Sequence, residues 1–294
     1  MQINKHGSFY MRNGWSYKII DAIQNDEMIF SPNNELKAVD DIGVGRVMIK
    51  AMRYWSVVMG LSDEIKSQRG VIHKLTELGE IIAKYDRYCQ NIGTLWLMHR
   101  KLSSNIESST AWYWAFNQFN EKTFNKELFV SEFYTFLQKN GENYVKKAVE
   151  KEFDCFKNTY VSEKVFDISK IIDEDAFPLF APLKLIKYGE NGNFYFKKSQ
   201  TKDIPLLILL YCIISDNAEH LKSNTQIGLE QILEGENQVG KYMCLSYATL
   251  LELLQQLENA KKISLVNNFG NRYIQLNLLD TNLILTNYYE GVKS

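Results

Sequence analysis

Proline is scarce in this chain, 4 in 294 residues, and so are cysteine and histidine, 4 of each. Few prolines leave long stretches free to continue as helix. Cys89, Cys155, Cys212 and Cys244 lie far apart and form no CxxC pair. That argues against a structural zinc site and against a disulfide framework, and makes a reduced cytoplasm the expected compartment. His6, His73, His99 and His220 fall at no metal-ligand spacing. GxxxxGK[ST], GxGxxG and HExxH are all missing, which removes the phosphate-loop, dinucleotide-binding and zincin signatures. The longest apolar run, Ile204 to Ile214, is too short for a bilayer and reads as a core helix. The start, MQINKHGSFY, has no apolar signal-peptide region, so no membrane role is expected. Charge of either sign is also lacking in excess: the net value is −1. Coating nucleic acid by bulk charge is excluded, so DNA would have to meet a local basic patch.

What the chain does have is apolar and aromatic residues, 45% and 13% of the total. Its length suggests two or three domains. The most informative stretch is Leu36 to Met59, LKAVDDIGVGRVMIKAMRYWSVVM. Gly43 and Gly45 mark a tight turn over Asp41 to Gly45 between two helices. In the second helix, about Val44 to Met59, Met48, Met52, Trp55 and Met59 form an apolar stripe. Arg46, Lys50 and Arg53 form a basic stripe, and at 100° per residue Arg46 points nearly opposite Met48. A helix entered through a glycine turn, burying one face and offering three cations from the other, is how a helix-turn-helix presents its recognition helix. A solvated surface helix would carry the same charges, so the neighbours matter.

Those neighbours agree. A helix over Trp15 to Gln24, with Ile19, Ile20 and Ile23 inside, precedes the turn Ser31 to Asn34. Val71 to Gly79 reads as a short strand and a turn. Helix, helix, turn, helix, strand is the order of a winged helix, whose wing would carry Lys66, Arg69, His73 and Lys74. Residues 1–84 are therefore expected to be an N-terminal winged helix-turn-helix DNA-binding domain. Its candidate contacts with double-stranded DNA are Arg46, Lys50, Arg53, Arg12, Lys66, Arg69 and Lys74.

Residues 85–160 read as a central, aromatic-rich helical region. Its helices are Asn91–Leu102, Ala111–Phe119 with Thr110 as cap, Asn125–Leu137 and Asn143–Phe156, the last with Val145 inside. So many rings on successive helices predict a core more than a platform for stacking bases. Residues 161–294 read as a connector followed by a C-terminal winged-helix-like domain. The connector holds an acidic turn, Asp173 to Asp175, and a hairpin over Tyr188 to Lys198 with an Asn-Gly turn. Helices follow at Pro205–Ser215, Ile227–Leu233 and Ser246–Lys261. Two strands, Ile263–Phe269 and Arg272–Leu278, flank Gly270-Asn271. The third of these helices shows Glu252, Gln256 and Asn259 outside, with no basic stripe, so this module suits protein as well as DNA. The fold class expected is mainly α with small β wings.

A nuclease needs carboxylates around a divalent cation. Asp40 and Asp41 are the candidate catalytic pair, because they adjoin the basic helix; a third acid, Asp21 or Glu77, would have to join them. The plainer reading makes Asp41 a helix cap and leaves Asp40 in solvent. Asp63 to Lys66 holds a commonplace acid-x-Lys pattern. His99 reads as a satisfied helix residue.

Several segments together resemble the bacterial DUF4007 family: His6–Trp15 (HGSFYMRNGW), Ile42–Trp55 (IGVGRVMIKAMRYW), Thr94–His99 (TLWLMH), Thr110–Asn117 (TAWYWAFN) and Phe153–Tyr160 (FDCFKNTY). They occur in the family's order over nearly the whole chain. Val47 stands where the family usually has a small polar residue. The resemblance implies a component of a bacterial phage-defence locus linked to DNA phosphorothioation. In the single-stranded phosphorothioation (Ssp) version the family member is described as a DNA nickase. Its nick opens the strand for sulfur insertion by a cysteine desulfurase, an ATPase and an ATP-pyrophosphatase-like enzyme. The resemblance carries no catalytic residue onto this chain. No cofactor is evident from the sequence; a nickase would take Mg or Mn. The contrasting reading is a non-catalytic winged-helix adaptor, or a transcription-regulator-like protein, that recruits partner proteins.

Overall fold

The computed structural model describes residues 1–68, 70–161, 177–268, 271–277 and 280–293. Arg69, the acidic turn at 173–175 and the turn glycine Gly270 lie outside the described residues. The fold is mainly helical with small sheets, and it divides into two compact units, Met1–Tyr195 and Phe196–Ser294.

The first unit opens with α1 (Trp15–Asn25), α2 (Glu35–Ile42) and α3 (Arg46–Val58). Ile19, Ile20 and Ile23 of α1 are buried, as their helical spacing predicts. The turn between α2 and α3 uses its two glycines differently. Gly43 is left-handed, φ 73°, and its N–H closes α2 on the Val39 carbonyl at 3.0 Å. Gly45 has φ −66° and is the extended cap residue of α3. Asp41 therefore does not cap α3; it sits in the last turn of α2.

An antiparallel hairpin follows, β1 (Ser62–Ser67) with β2 (Gly70–Leu75), in register Ser62↔Leu75 through Ser67↔Gly70. The expected strand thus has a partner that the sequence pattern hid, because β1 is exposed at every position after Ser62 and shows no alternation. The expected end at Gly79 is also corrected. Thr76 accepts the Gly79 N–H at 2.9 Å and caps α4 (Glu77–Tyr85).

The remaining helices of this unit are α5 (Ile92–Ser103), α6 (Thr110–Asn117), α7 (Lys126–Lys139) and α8 (Lys146–Tyr160). Asn91 and Asn125 cap α5 and α7 through their side chains. Thr110 caps nothing; its hydroxyl bonds the carbonyls of Gln2 and Ile106. Val145 is exposed before α8 rather than inside it. Every residue of α6 is buried, so it is the helix around which the others close. Rings carry the core from α3 to α8: Trp55 meets Trp112 edge-on at 5.4 Å, Trp112 meets Phe156 at 5.9 Å, and Phe156 stacks on Phe129 at 5.0 Å. Because this ring chain is continuous, the segments 1–84 and 85–160 share one compact unit. A small sheet in the order β3 (Thr123–Phe124), β5, β4 completes it, with β4 (Ile186–Tyr188) and β5 (Phe194–Phe196) joined through the expected Asn-Gly turn.

The second unit contains α9 (Leu206–Asp216), β6 (Gln226–Gly228), α10 (Leu229–Glu234), α11 (Val239–Tyr242) and α12 (Tyr247–Asn259). After these come β7 (Ile263–Asn268), β8 (Asn271–Leu276) and α13 (Thr281–Lys293). The helix expected from Ile227 begins as strand β6, because β8 offers its open edge and pairs Ile227 with Ile274. Leu250, Leu253, Leu254 and Leu257 are buried on α12, as their spacing predicts. α13 packs against α9. No helix among the described residues is long and apolar enough to cross a membrane.

Candidate nucleic-acid interface

α3 sorts its residues by face. Ile49, Met52 and Trp55 are buried, and Trp55 Nε1–H donates to the Phe9 carbonyl at 2.8 Å. Of its thirteen residues, three are exposed: Arg46, Val47 and Lys50, all in the N-terminal half. Arg53, one turn further along the same stripe, is half-buried. The expected basic stripe exists and opens outward.

Acids that the sequence did not single out answer each of these cations. Glu35, at the start of α2, lies 3.8 Å from Arg46 and 3.4 Å from Lys50. Glu64 of β1 takes both Arg53 Nε, at 2.9 Å, and a terminal Arg53 nitrogen, at 2.7 Å, on one oxygen. Lys50 and Arg46 stay mostly exposed, so these pairs set the heading of the side chains without removing them from water. The signal available beforehand was weak, since Glu35 and Glu64 meet α3 only through the turn and the hairpin.

On the hairpin, Lys66 is exposed, with no ion-pair partner among the described residues. Lys74 is exposed and 3.9 Å from Glu27. His73, expected on the wing surface, is instead buried at the hairpin base. Ser56 gives its hydroxyl proton to the Arg53 carbonyl, and Ser62 gives its own to Ser56. Ser62 therefore accepts from His73 Nδ1–H at 3.3 Å. Nε2 is left as a buried lone pair without a donor, 3.6 Å from Glu64. Burial, with Arg53 close by, holds the His73 imidazole down at about 4 despite the pull of Glu64. It is neutral at physiological pH and is no phosphate contact.

Arg12 is also spent locally. Its guanidinium lies over the rings of Phe9, Tyr10 and Trp15 at 5.7, 5.7 and 5.6 Å. It is half-buried, and its main chain bridges to Pro178. The structure thus brings Arg46, Lys50 and Arg53 onto one helix, sets Lys66 and Lys74 on the following hairpin, and places Arg12 in an aromatic cage.

Asp40 and Asp41 are both exposed in the last turn of α2, so Asp40 lies in solvent as the plainer reading has it, and neither one caps α3. Asp41 lines a cleft of about 430 Å³ together with Asp21 and Asp26. Asp26 is engaged by Lys37 at 2.6 Å, which pulls its carboxyl below the usual range. Asp21 bonds Asn25 and faces Arg87 at 3.7 Å. Among the described residues no three His, Cys, Asp or Glu side chains stand where one metal ion could join them. Among the described residues, the carboxylates around α2 do not make the donor set that a magnesium or manganese ion takes. The four thiols are buried, and burial pushes those of Cys89 and Cys244 up to about 12, which leaves them inert as nucleophiles.

Fold and site together define a class: helix-rich proteins that present a short cationic helix beside a two-stranded hairpin. Within it the chain belongs to the DUF4007 family, described as a protein of unknown function, whose model matches residues 3–289. Two solved structures share the fold. The magnesium ion-bound SspB crystal structure matches with a TM-score of 0.84 at 20% identity, covering 100% of this chain and 89% of that one. A further SspB crystal structure matches with a TM-score of 0.83 at 21% identity and the same coverage. No curated protein matches the chain.

Proposed function

We propose that this chain is the DNA-binding component of a bacterial phosphorothioation-linked phage-defence system. It would hold double-stranded DNA with α3 as the recognition helix of a winged helix and β1–β2 as its wing. The observation that carries this reading is the exposed face of α3, where two cations project from the first two turns and a third follows one turn on. The likeness to SspB structures supports the system, and the proteins of sulfur insertion, namely the cysteine desulfurase, ATPase and ATP-pyrophosphatase-like enzyme, are the proposed assembly partners. Replacing Arg46, Lys50 and Arg53 together with Ala should weaken duplex binding. It should also flatten the salt dependence by roughly one unit of log–log slope for each phosphate that the variant no longer neutralises. A folded triple variant with the parent's affinity and slope would remove α3 from the interface.

A second reading adds nicking, and the fold of a magnesium-bound SspB structure is what favours it. It enters as a property to be measured: conversion of supercoiled plasmid to open circle, with and without Mg²⁺ or Mn²⁺. Asp41 is the acid to test, because it alone of the candidate pair shares a cleft with other carboxylates. Asp41→Asn cutting at the parent rate would clear it of that role.

The second unit supports the adaptor reading for its own surface. No residue of α12 is Lys, Arg or His, and its exposed acid, Glu252, accepts from Thr201 at 2.7 Å. We assign this unit to protein contacts. Retention of full DNA affinity by a chain carrying Lys241→Ala and Arg272→Ala is the expected result.

A further inference from the structure

The exposed face of α3 contains one residue that cannot bind a phosphate. Val47 is 53% exposed, in the first turn of the helix, between Arg46 and Lys50. It has neither donor nor acceptor on its side chain. Both flanking cations are drawn to the same acid, Glu35, so the valine stands beside a fixed charge pattern. It is also braced. The N-terminal loop runs against it, and a Cβ placed on Gly7 would stand 3.1 Å from Val47 Cγ1. Gly7 is left-handed, φ 57°, so the loop reaches this closeness through a residue without a side chain. A β-branched residue has few χ1 choices, and contact on one side leaves its remaining methyl surface in a set direction.

We propose that Val47 reads the C5-methyl group of thymine in the major groove. This inference rests on the DNA-binding reading above and deepens it from backbone grip to base selection. When a recognition helix docks, residues at its N-terminal end reach the base edges. Arg and Lys there meet phosphates or guanine. The one apolar feature that an unmodified major groove offers is the thymine methyl, and an apolar side chain is its complement. Val47 is the sole apolar residue among the exposed positions of α3, and it lies in the helix's first turn.

The test uses the full chain and a randomised duplex pool free of methylcytosine. Sequences retained by the parent are read out, and the best duplex is then remade with every thymine replaced by uracil, which removes the methyl and nothing else from each pair. The parent should bind the uracil duplex about three- to tenfold more weakly. Val47→Ser, at an exposed position, should fold normally, bind the uracil duplex within about twofold of the parent, and lose the thymine preference. Val47→Ile should keep it. Equal affinity of the parent for both duplexes overturns the inference while leaving DNA binding standing. A thymine preference undiminished in Val47→Ser overturns it too. Failure of the parent to bind any duplex at low salt removes the DNA reading itself, and this inference with it.

Discussion

Arg53 and Glu64 close a fork between the recognition-helix candidate and the hairpin, with two guanidinium nitrogens on one carboxylate oxygen at 2.9 and 2.7 Å. The pair ties α3 to β1 and also holds in check a cation that faces outward. Glu35 does the same for Arg46 and Lys50 from α2. On the proposed DNA-binding reading, acids placed behind the basic stripe lower its attraction for phosphates.

Removing either acid should therefore tighten DNA binding. Glu35→Gln frees Arg46 and Lys50, and an increase in duplex affinity of about two- to fivefold at low salt is expected, with a steeper salt dependence. Thermal stability should change little, because exposed ion pairs contribute about 0–1 kcal/mol. Weaker binding by Glu35→Gln would mean that Glu35 positions the cations more than it restrains them.

His73 makes stability fall with acid. Its imidazole titrates near 6.5 when unfolded and at about 4 in the fold, where burial is the leading cause. Between those values the unfolded chain binds the extra proton. The stabilisation is present in full above about pH 6.5 and is lost as pH drops toward 4, by about 3 kcal/mol. Denaturant titrations at pH 7, 5.5 and 4.5 measure the slope, and His73→Gln should reduce it. An unchanged slope in that variant would place the acid sensitivity elsewhere.

The two glycines of the turn should be sensitive to alanine for different reasons. Gly43→Ala meets no steric obstacle, since nothing lies within 4 Å of a Cβ there, yet its φ of +73° should cost about 1 kcal/mol. Gly45→Ala, at φ −66° with nothing within 4 Å of a Cβ, carries no backbone strain, and as the N-cap of α3 it should cost about 0.5 kcal/mol, because alanine is a poorer cap than glycine. Chemical denaturation of the two single variants decides this.

Trp55 anchors the N-terminal loop to α3. Trp55→Phe removes the donor to the Phe9 carbonyl and should cost about 1–3 kcal/mol. Trp55→Ala also opens a cavity against Trp112 and should cost about 3–5 kcal/mol. If the loop is the brace for Val47, Trp55→Phe should also blunt any thymine preference.

The helices were legible where burial repeats at 3.6 residues. α1, α3, α5, α7 and α12 each carry a local apolar stripe, and a stripe needs no knowledge of what covers it. The basic face of α3 was legible for the same reason, since Arg46, Lys50 and Arg53 follow that period. α13 could have been found too, because Ile284, Leu285, Tyr288 and Tyr289 repeat helically behind the cap Asp280.

Local decisions, then, were written into the chain: helix here, turn at Gly43, cations on one face. Folding in three dimensions settled whatever depends on residues distant in the chain. β1 has no alternation of its own and exists because β2 pairs with it. β6 is strand because β8 presents an open edge. His73 carries a polar ring that any surface would accept, and it is buried only once the fold brings Phe30 and Ser62 against it. Arg12 was one cation among many until three rings gathered around it. Glu35 and Glu64 became restraints on α3 because a turn and a hairpin carried their carboxylates to it. Local propensity acts through neighbours a few residues apart, whereas burial and pairing act through space, and the fate of each polar side chain in this site was settled by the second.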